Sequence, residues 1–430
     1  METFIFPLQQ HIGAPATPSV RVGDDVKRGQ LLAAKAEGKL GSNIFSSVNG
    51  KVTAVTDVAV TIDADDVQPK DYVTLTQTEP LKLIEEAGLV GLGGAGFPTY
   101  VKLGSKLNPG GVVIANASEC EPILSHNIKR IEEMPEQLIR GLHIAMDIVG
   151  ADKGVIAIKG YHTEAIEALR KALDDSSIDL HLLPNIYPVG DERAIIREVL
   201  DNLLDVEQLP LAANAIVINA ETVCRVQEAV DLKKPLIDKD LTVAGKIAGE
   251  NIQVFRDVPL GRLVSEVIDR AGGITEEYGE LIMGGPFMGK RTYPEEPIVK
   301  TTGGILVTQD FMRGPKKIGL LVCACGANQE RLEQIAASMG AEVTDVEFCK
   351  QAKLMKNGTR KCENPGHCPG QVQKVMAIKK SGADAILISN CTDCSNTVMS
   401  CAPQLKLPVY HCTDGALRAV NHKLIRRMKE

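Results

Sequence analysis

Over residues 1–78, apolar and polar positions alternate in short Val-rich runs. Turn signals at GDD (23–25) and VNG (48–50) separate them. Period-two alternation between such turns predicts short β-strands. VRVGDDVKRGQLL (20–32) and SSVNGKVTAV (46–55) read as the two halves of a β barrel-sandwich. Nothing in AAKAEGKLGS marks Lys35 or Lys39 for modification, so an unmodified sandwich is expected.

From 79 to 232 the period changes. LKLIEEAGL (81–89), TEAIEALRKAL (163–173) and ERAIIREVL (192–200) carry helical spacing. VVIANA (112–117), GVIAIKG (154–160), DLHLLPN (179–185) and AIVINA (215–220) are short apolar runs suited to buried strands. Strand and helix in alternation predict a parallel sheet covered on both faces. Between 233 and 310, LTVAGKIAG (241–249) and NIQVFRDVPL (251–260) predict a hairpin. A helix over 261–273 and a strand within ELIMGGPFMGK (280–290) complete a small β-grasp unit. GGPFMG (284–289) and TTGGIL (301–306) are expected as loops.

QDFMRGPKK (309–317) reads as a linker into a last α/β domain over 315–430. Its expected strands are KIGLLVCACG, AEVTDVEFCK, ADAILISNC and KLPVYHC. Its expected helices are ERLEQIAASM, VQKVMAIKKS and ALRAVNHKLIRRMK (416–429). The fold class is therefore multidomain α/β: sandwich, α/β core, β-grasp unit and a Cys-rich α/β domain.

Composition narrows the function. Aromatic residues make up 3% of the chain, with no Trp, and the net charge is -7. Both argue against a nucleic-acid partner, which needs basic surface and stacking rings. No apolar run approaches the roughly 20 residues that span a bilayer. METFIFPLQQ has no basic n-region ahead of an apolar core, so no secretory signal is expected. The expectation is a cytoplasmic protein, compatible with docking on a membrane complex.

GLGGAGFPTYVKL (91–103) contains G-x-G-x-x-G at Gly91, Gly93 and Gly96. A dinucleotide fingerprint needs a strand before the glycines and a helix opening at them. Here a helical segment precedes and the nearest strand follows at 112, so the match is not that fingerprint. Gly91, Gly93, Gly94 and Gly96 still leave bare backbone N–H groups that approach a phosphate or flat ring closely. Lys102 adds a positive charge. Polar groups also follow three expected strands: Asn116, Ser118, Glu119 and Glu121; Tyr187, Gly190, Asp191 and Glu192; Asn219, Glu221 and Thr222. Ligands of open parallel sheets sit at such carboxyl ends, so a nucleotide-like ligand is expected.

GLGGAGFPTYVKL followed by NASECEP resembles the flavin-binding segment of the C subunit of the Rnf electron-transport complex. It is also similar to the NADH-oxidising flavoprotein subunit of respiratory complex I. The resemblance runs over roughly residues 5–310, through HIGAPATPSVRVGDDVKRGQ, YPVGDERAI, KKPLIDKDLTVAG, LIMGGPFMGK and PIVKTTGGIL. It implies hydride transfer from NADH to FMN, then release of single electrons. It places Gly91, Gly93, Gly94, Gly96 and Lys102 on the FMN phosphate and ribityl chain. Asn116, Glu119, Asn219 and Thr222 contact the rest of the flavin. Phe97, Glu121 and Glu192 lie near the nicotinamide nucleotide, and Tyr187 joins the cofactor-binding set.

Nine of the eleven cysteines lie after residue 320. The Rnf proteins of this type run on into two C-x-x-C-x-x-C-x-x-x-C-P stretches for [4Fe–4S] clusters; this chain has none. It carries Cys323, Cys325, Cys349, Cys362, Cys368, Cys391, Cys394, Cys401 and Cys412 instead. This layout resembles that of the proline reductase-associated electron-transfer proteins. That resemblance implies a protein electron acceptor, D-proline reductase or another electron-transfer subunit, in an anaerobic setting. If the four strands are parallel, the thiols at their carboxyl ends converge. Convergent thiols suit an iron–sulfur cluster, a zinc site or a dithiol relay, and the spacing leaves all three open. The expected function is an NADH-dependent electron-transfer flavoprotein. The alternative is a non-catalytic ligand-binding scaffold subunit of an electron-transfer complex.

Overall fold

The computed structural model describes residues 2–174 and 176–426. At the N-terminus, Thr3–Pro7, Ala59–Ala64, Gly50–Val55 and Asp25–Val26 form an antiparallel sheet in that order. Thr17–Pro18, Leu31–Ala34 and Ile44–Phe45 form a second sheet. Phe4, Phe6, Leu32, Val52, Val60 and Ile62 fill the space within. Alternate residues of Thr3–Pro7 and Ala59–Ala64 are buried, as the period-two pattern requires.

The core sheet is wholly parallel, in the order Ile178–Leu183, Lys153–Lys159, Val112–Ala117, Ala215–Asn219. Three of its strands are apolar runs because helices cover both faces, while the edge strand Ile178–Leu183 is partly exposed. Helices Pro135–Val149 and Ala220–Asp231 pack on one side, and Glu192–Leu200 on the other. The chain moves outward from Val112–Ala117 through two strands, then returns to place Ala215–Asn219 on its opposite side. That reversal is a topological switch point, and ligands of open sheets lie at the carboxyl end of such a crevice. The helix expected over 81–89 is Pro80–Glu86; Gly88, at φ +68, turns the chain out of it.

The third unit is a five-stranded sheet: Ile252–Pro259, Asp238–Gly245, Gly304–Val307, Leu281–Met283, Lys290–Thr292. The expected hairpin is antiparallel, and helix Val264–Arg270 follows it. Contrary to expectation, TTGGIL is not all loop, because Gly304–Val307 is a buried strand between two others. The apolar run ILV drives it inward, and the adjacent glycines masked that run.

In the C-terminal domain, Glu342–Phe348, Lys317–Val322, Ala385–Ile388 and Val409–His411 are parallel neighbours in that order. A hairpin of Ala352–Leu354 and Arg360–Cys362 lies outside the sheet. The last helix is shorter than expected, Asp414–Ala419, and Asn421 at φ +54 lies just beyond it. The end of the expected helix, 427–429, lies outside the described residues.

Buried charges join the units. Arg130 and Arg225, on core helices, pair with Asp240 of the third unit, and Lys239 pairs with Glu221. Although burial pushes the Asp240 carboxyl up, Arg225 and Arg130 outweigh it and hold it well below the usual range. Lys300, fully buried, donates to Ser42 Oγ (2.9 Å), Asn43 O (2.6 Å) and Gly88 O (2.8 Å). One side chain thereby ties the third unit to the sandwich and the core.

Candidate functional site

The glycine loop lies across the switch point. Asn116 and Asn219 are register partners at the carboxyl ends of the two strands that flank it. Asn219 caps helix Ala220–Asp231, its Oδ1 accepting from Thr222 N at 3.3 Å. Thr222 Oγ1 in turn accepts from Leu92 N at 3.0 Å, which fixes the loop on that helix start. Gly93 faces Asn219 so closely that an added Cβ would lie 2.4 Å from Nδ2. At Gly94 a Cβ would meet nothing within 4 Å. Gly93, Gly94 and Ala95 are exposed. Gly96, at φ +74, packs against Gln10, His11 and Thr301. The loop is therefore anchored at both ends with a bare backbone tip between. Phe97 is half-buried beside it.

Lys102, on helix Thr99–Leu103, donates to Glu192 Oε1 at 2.5 Å and to Val217 O at 2.9 Å. Its ammonium is thus held under the strand that ends in Asn219. Asn116 Nδ2 donates to Gly190 O at 3.0 Å, and its Oδ1 accepts from the Ser118 backbone and hydroxyl. Glu119, at φ +36, accepts from Asn127 N at 2.9 Å. These bonds draw the glycine loop, 116–119, 190–192 and 219–222 to one edge of the sheet.

Glu121 points toward the third unit. Its carboxylate accepts from the backbone N–H groups of Phe287 (2.7 Å) and Met288 (2.8 Å). Gly285 leaves room for it, since a Cβ there would lie 2.4 Å from the carboxylate carbon. Burial raises the Glu121 pKa to about 7 against those two hydrogen bonds. Tyr187 is likewise buried: its ring stacks on Phe287 at 3.7 Å and 7°. Sequence reasoning missed Cys120, whose sulfur accepts from Gly190 N at 3.3 Å. It also missed Lys159, which ends its strand 4% exposed among Glu121, Cys120 and His162. The strand-end rule would have found both.

Two family models match parts of the chain. Residues 84–228 match the Nuo51 FMN-binding domain, and residues 1–75 match the RnfC barrel sandwich hybrid domain. The C subunit of the proton-translocating ferredoxin:NAD(+) oxidoreductase complex of Clostridium ljungdahlii is 33% identical over 340 residues, 74% of this chain and 73% of that protein. The Na(+)-translocating counterpart of Acetobacterium woodii is 35% identical, over 71% of this chain and 73% of that protein. The chain belongs to the RnfC family. The cobalamin reductase PduS of Citrobacter freundii is also related, 32% identical over 79% of this chain and 72% of its own length. Membership makes the chain an oxidoreductase-type electron-transfer subunit with an FMN-binding domain. The flavin expected from the sequence is thereby supported, and the NAD(+) in the relatives' names supports the nucleotide. No helix among the described residues is long and apolar enough to cross a membrane.

The loop is chemically suited to FMN. Its tip is exposed glycine and alanine backbone, open space lies beside Gly94, and an ammonium stands within the same edge.

The Cys-rich domain docks on this same edge. Arg197, on the helix after the Tyr187 loop, donates to Asn364 Oδ1 (2.6 Å) and Pro365 O (2.8 Å). Arg193 donates to Cys362 O, and Thr392 pairs with Tyr187 through N and O at 3.3 Å. The thiols at the strand ends converge. Cys323, Cys349, Cys391 and Cys394 are buried and linked through hydrogen-bonding reach of their sulfurs. Cys325 lies between Cys323 and Cys362, and Cys368 flanks Cys394 at a half-buried rim. Gln371, fully buried, directs its amide N–H group at Cys349 (3.1 Å), Cys394 (3.4 Å) and Cys368 (3.6 Å). Two expected members stand apart. Cys401 faces the Thr397 and Val398 carbonyls of its own helix, and Cys412 faces His411. No three His, Cys, Asp or Glu side chains among the described residues are arranged as a metal-ion cage.

Proposed function

We propose that this chain is the NADH-oxidising flavoprotein of an electron-transfer complex, with its Cys-rich domain as the exit toward a partner reductase. The observation that carries this reading is the glycine loop at the switch point, between in-register Asn116 and Asn219. The chemistry that bound FMN would supply there is hydride acceptance from NADH and stepwise release of electrons.

The chain's own residues bind and orient. The backbone at Gly93, Gly94 and Ala95 would receive the phosphate, with Gly91 and Gly96 fixing the loop's ends. Lys102 adds charge, already oriented by Val217 O. Asn116, Glu119, Asn219 and Thr222 would border the flavin. Phe97 and Glu192 are the candidates for the nicotinamide nucleotide. Glu121 and Tyr187, also candidates for it, already hold the third unit against the core. The Tyr187 loop connects the flavin edge to the thiols, since Thr392 bonds its backbone and Arg193, on the helix that follows it, donates to Cys362 O.

Relatives are named as parts of ion-translocating complexes and as cobalamin reductases. A protein acceptor in a complex of this kind is the expected partner here, in the cytoplasm. The resemblance of the cysteine layout to that of the proline reductase-associated proteins is what favours D-proline reductase among such acceptors. The test is flavin fluorescence: added FMN is quenched on titration with the chain, and Lys102→Ala weakens binding about tenfold. Unchanged affinity in that variant removes Lys102 from the site, and absence of quenching in the native chain overturns the reading.

A further inference from the structure

At the rim of the thiol domain, one half-buried cysteine is backed by a buried one. Cys368 is half-buried in the segment that follows the small hairpin. Its sulfur receives the Gly370 N–H at 3.3 Å and the Gln371 amide at 3.6 Å, and Thr397 Oγ1 lies 3.0 Å away. Cys394, 2% exposed in the first turn of helix Thr392–Cys401, is within hydrogen-bonding reach behind it. Asp393 fixes the backbone between them, accepting from Cys368 N at 2.8 Å. Gln371 bridges both sulfurs through its amide nitrogen, while its buried Oε1 has no partner.

We infer that Cys368 and Cys394 are a redox-active dithiol that exchanges electrons with a disulfide on an acceptor, Cys368 attacking and Cys394 resolving. Donors converging on a partly exposed sulfur stabilise its thiolate, the nucleophilic form. Gly370 N–H and the Gln371 amide supply such donors to Cys368, and the same amide reaches Cys394 at 3.4 Å, which holds the buried sulfur in place behind it.

The step balances. The Cys368 thiolate attacks one sulfur of the acceptor disulfide, forming a mixed disulfide and releasing one thiolate. Cys394 loses its proton to water and attacks Cys368 sulfur, releasing the second. The chain is left with a Cys368–Cys394 disulfide, and the acceptor has gained two electrons. One NADH and one proton restore both thiols, with NAD+ as product. Only this last reduction rests on the proposed flavin function; the exchange itself does not.

The exchange is therefore tested on reduced, FMN-free chain with 5,5′-dithiobis(2-nitrobenzoate) at pH 7. The native chain is expected to release two thiolates in a fast phase, about tenfold faster than the other thiols react. No adduct should remain on Cys368, and mass spectrometry should find it joined to Cys394. Cys394→Ser should release one thiolate and trap the adduct on Cys368. Cys368→Ser should lose the fast phase, while Cys401→Ser keeps it. Native circular dichroism in each variant reports that it is folded. A fast phase surviving in Cys368→Ser, two equivalents from Cys394→Ser, or stoichiometric iron or zinc on the anaerobic protein that either variant loses would overturn the inference. Failure of the flavin reading would instead appear as absent FMN quenching, with this exchange intact.

Discussion

At Gly93 the chain has no room for a side chain. A Cβ would press on Asn219 Nδ2, Cγ and Cβ at 2.4, 2.8 and 3.3 Å. Gly93→Ala must therefore displace the cap of helix Ala220–Asp231, at a cost of about 1 kcal/mol. It should weaken FMN binding about tenfold in a fluorescence titration. Glu121 makes a second prediction, in pH. Its folded pKa of about 7 lies above its ordinary 4.5. Between those values the folded chain holds a proton that the unfolded chain has lost. Stability from this group is thus present at pH 4.5 and declines as pH rises to about 7, by about 3 kcal/mol. Glu121→Gln should flatten that slope in thermal melts recorded from pH 4.5 to 7.5. At this scale the glycines, Asn219 and Thr222 were legible from spacing and strand ends. Glu121 was legible as polar but not as a tether, because Phe287 is 166 residues away.

The elements follow their patterns where one periodicity dominates. Core strands Val112–Ala117 and Lys153–Lys159 and the cysteine-ended strands Lys317–Val322 and Ala385–Ile388 were readable because apolar runs stop at polar or sulfur-bearing positions. Strand Gly304–Val307 was hidden by its flanking glycines. The last helix was overestimated, because the pattern continued past Asn421 while the backbone did not. What joins elements was not readable at all. Lys300→Met would remove the donor to Asn43 O, Gly88 O and Ser42 Oγ, leaving Gly88 O only the Ser42 hydroxyl, and should cost about 3 kcal/mol in urea unfolding. Asp240→Asn would leave Arg130 and Arg225 only the exposed Asp257 carboxylate in common, with Glu221 and Glu228 still on Arg225. Its expected cost is about 3–5 kcal/mol in the same measurement. A smaller loss in both would mean that the sandwich, core and third unit are held chiefly by apolar packing.

Across the whole molecule, the glycine loop and the converging thiols lie at strand ends of two sheets that meet. The glycine loop, Asn116 and Asn219 occupy the switch point, and the Tyr187 loop carries the Cys-rich domain onto the same end. The sequence placed both groups at strand ends but could not bring the two sheets together. That depends on Arg193, Arg197 and Thr392, ordinary surface residues in a linear reading. Convergence of the thiols was legible once the strands were taken as parallel, and the sidelining of Cys401 and Cys412 was not. The central claim is that NADH reduces a flavin bound at the glycine loop. The direct measurement is an anaerobic absorption spectrum of the FMN-loaded chain, taken before and after one equivalent of NADH. Bound-flavin bands that bleach on addition are the predicted result. Flavin that does not bind, or that keeps its full absorbance with NADH present, would contradict it.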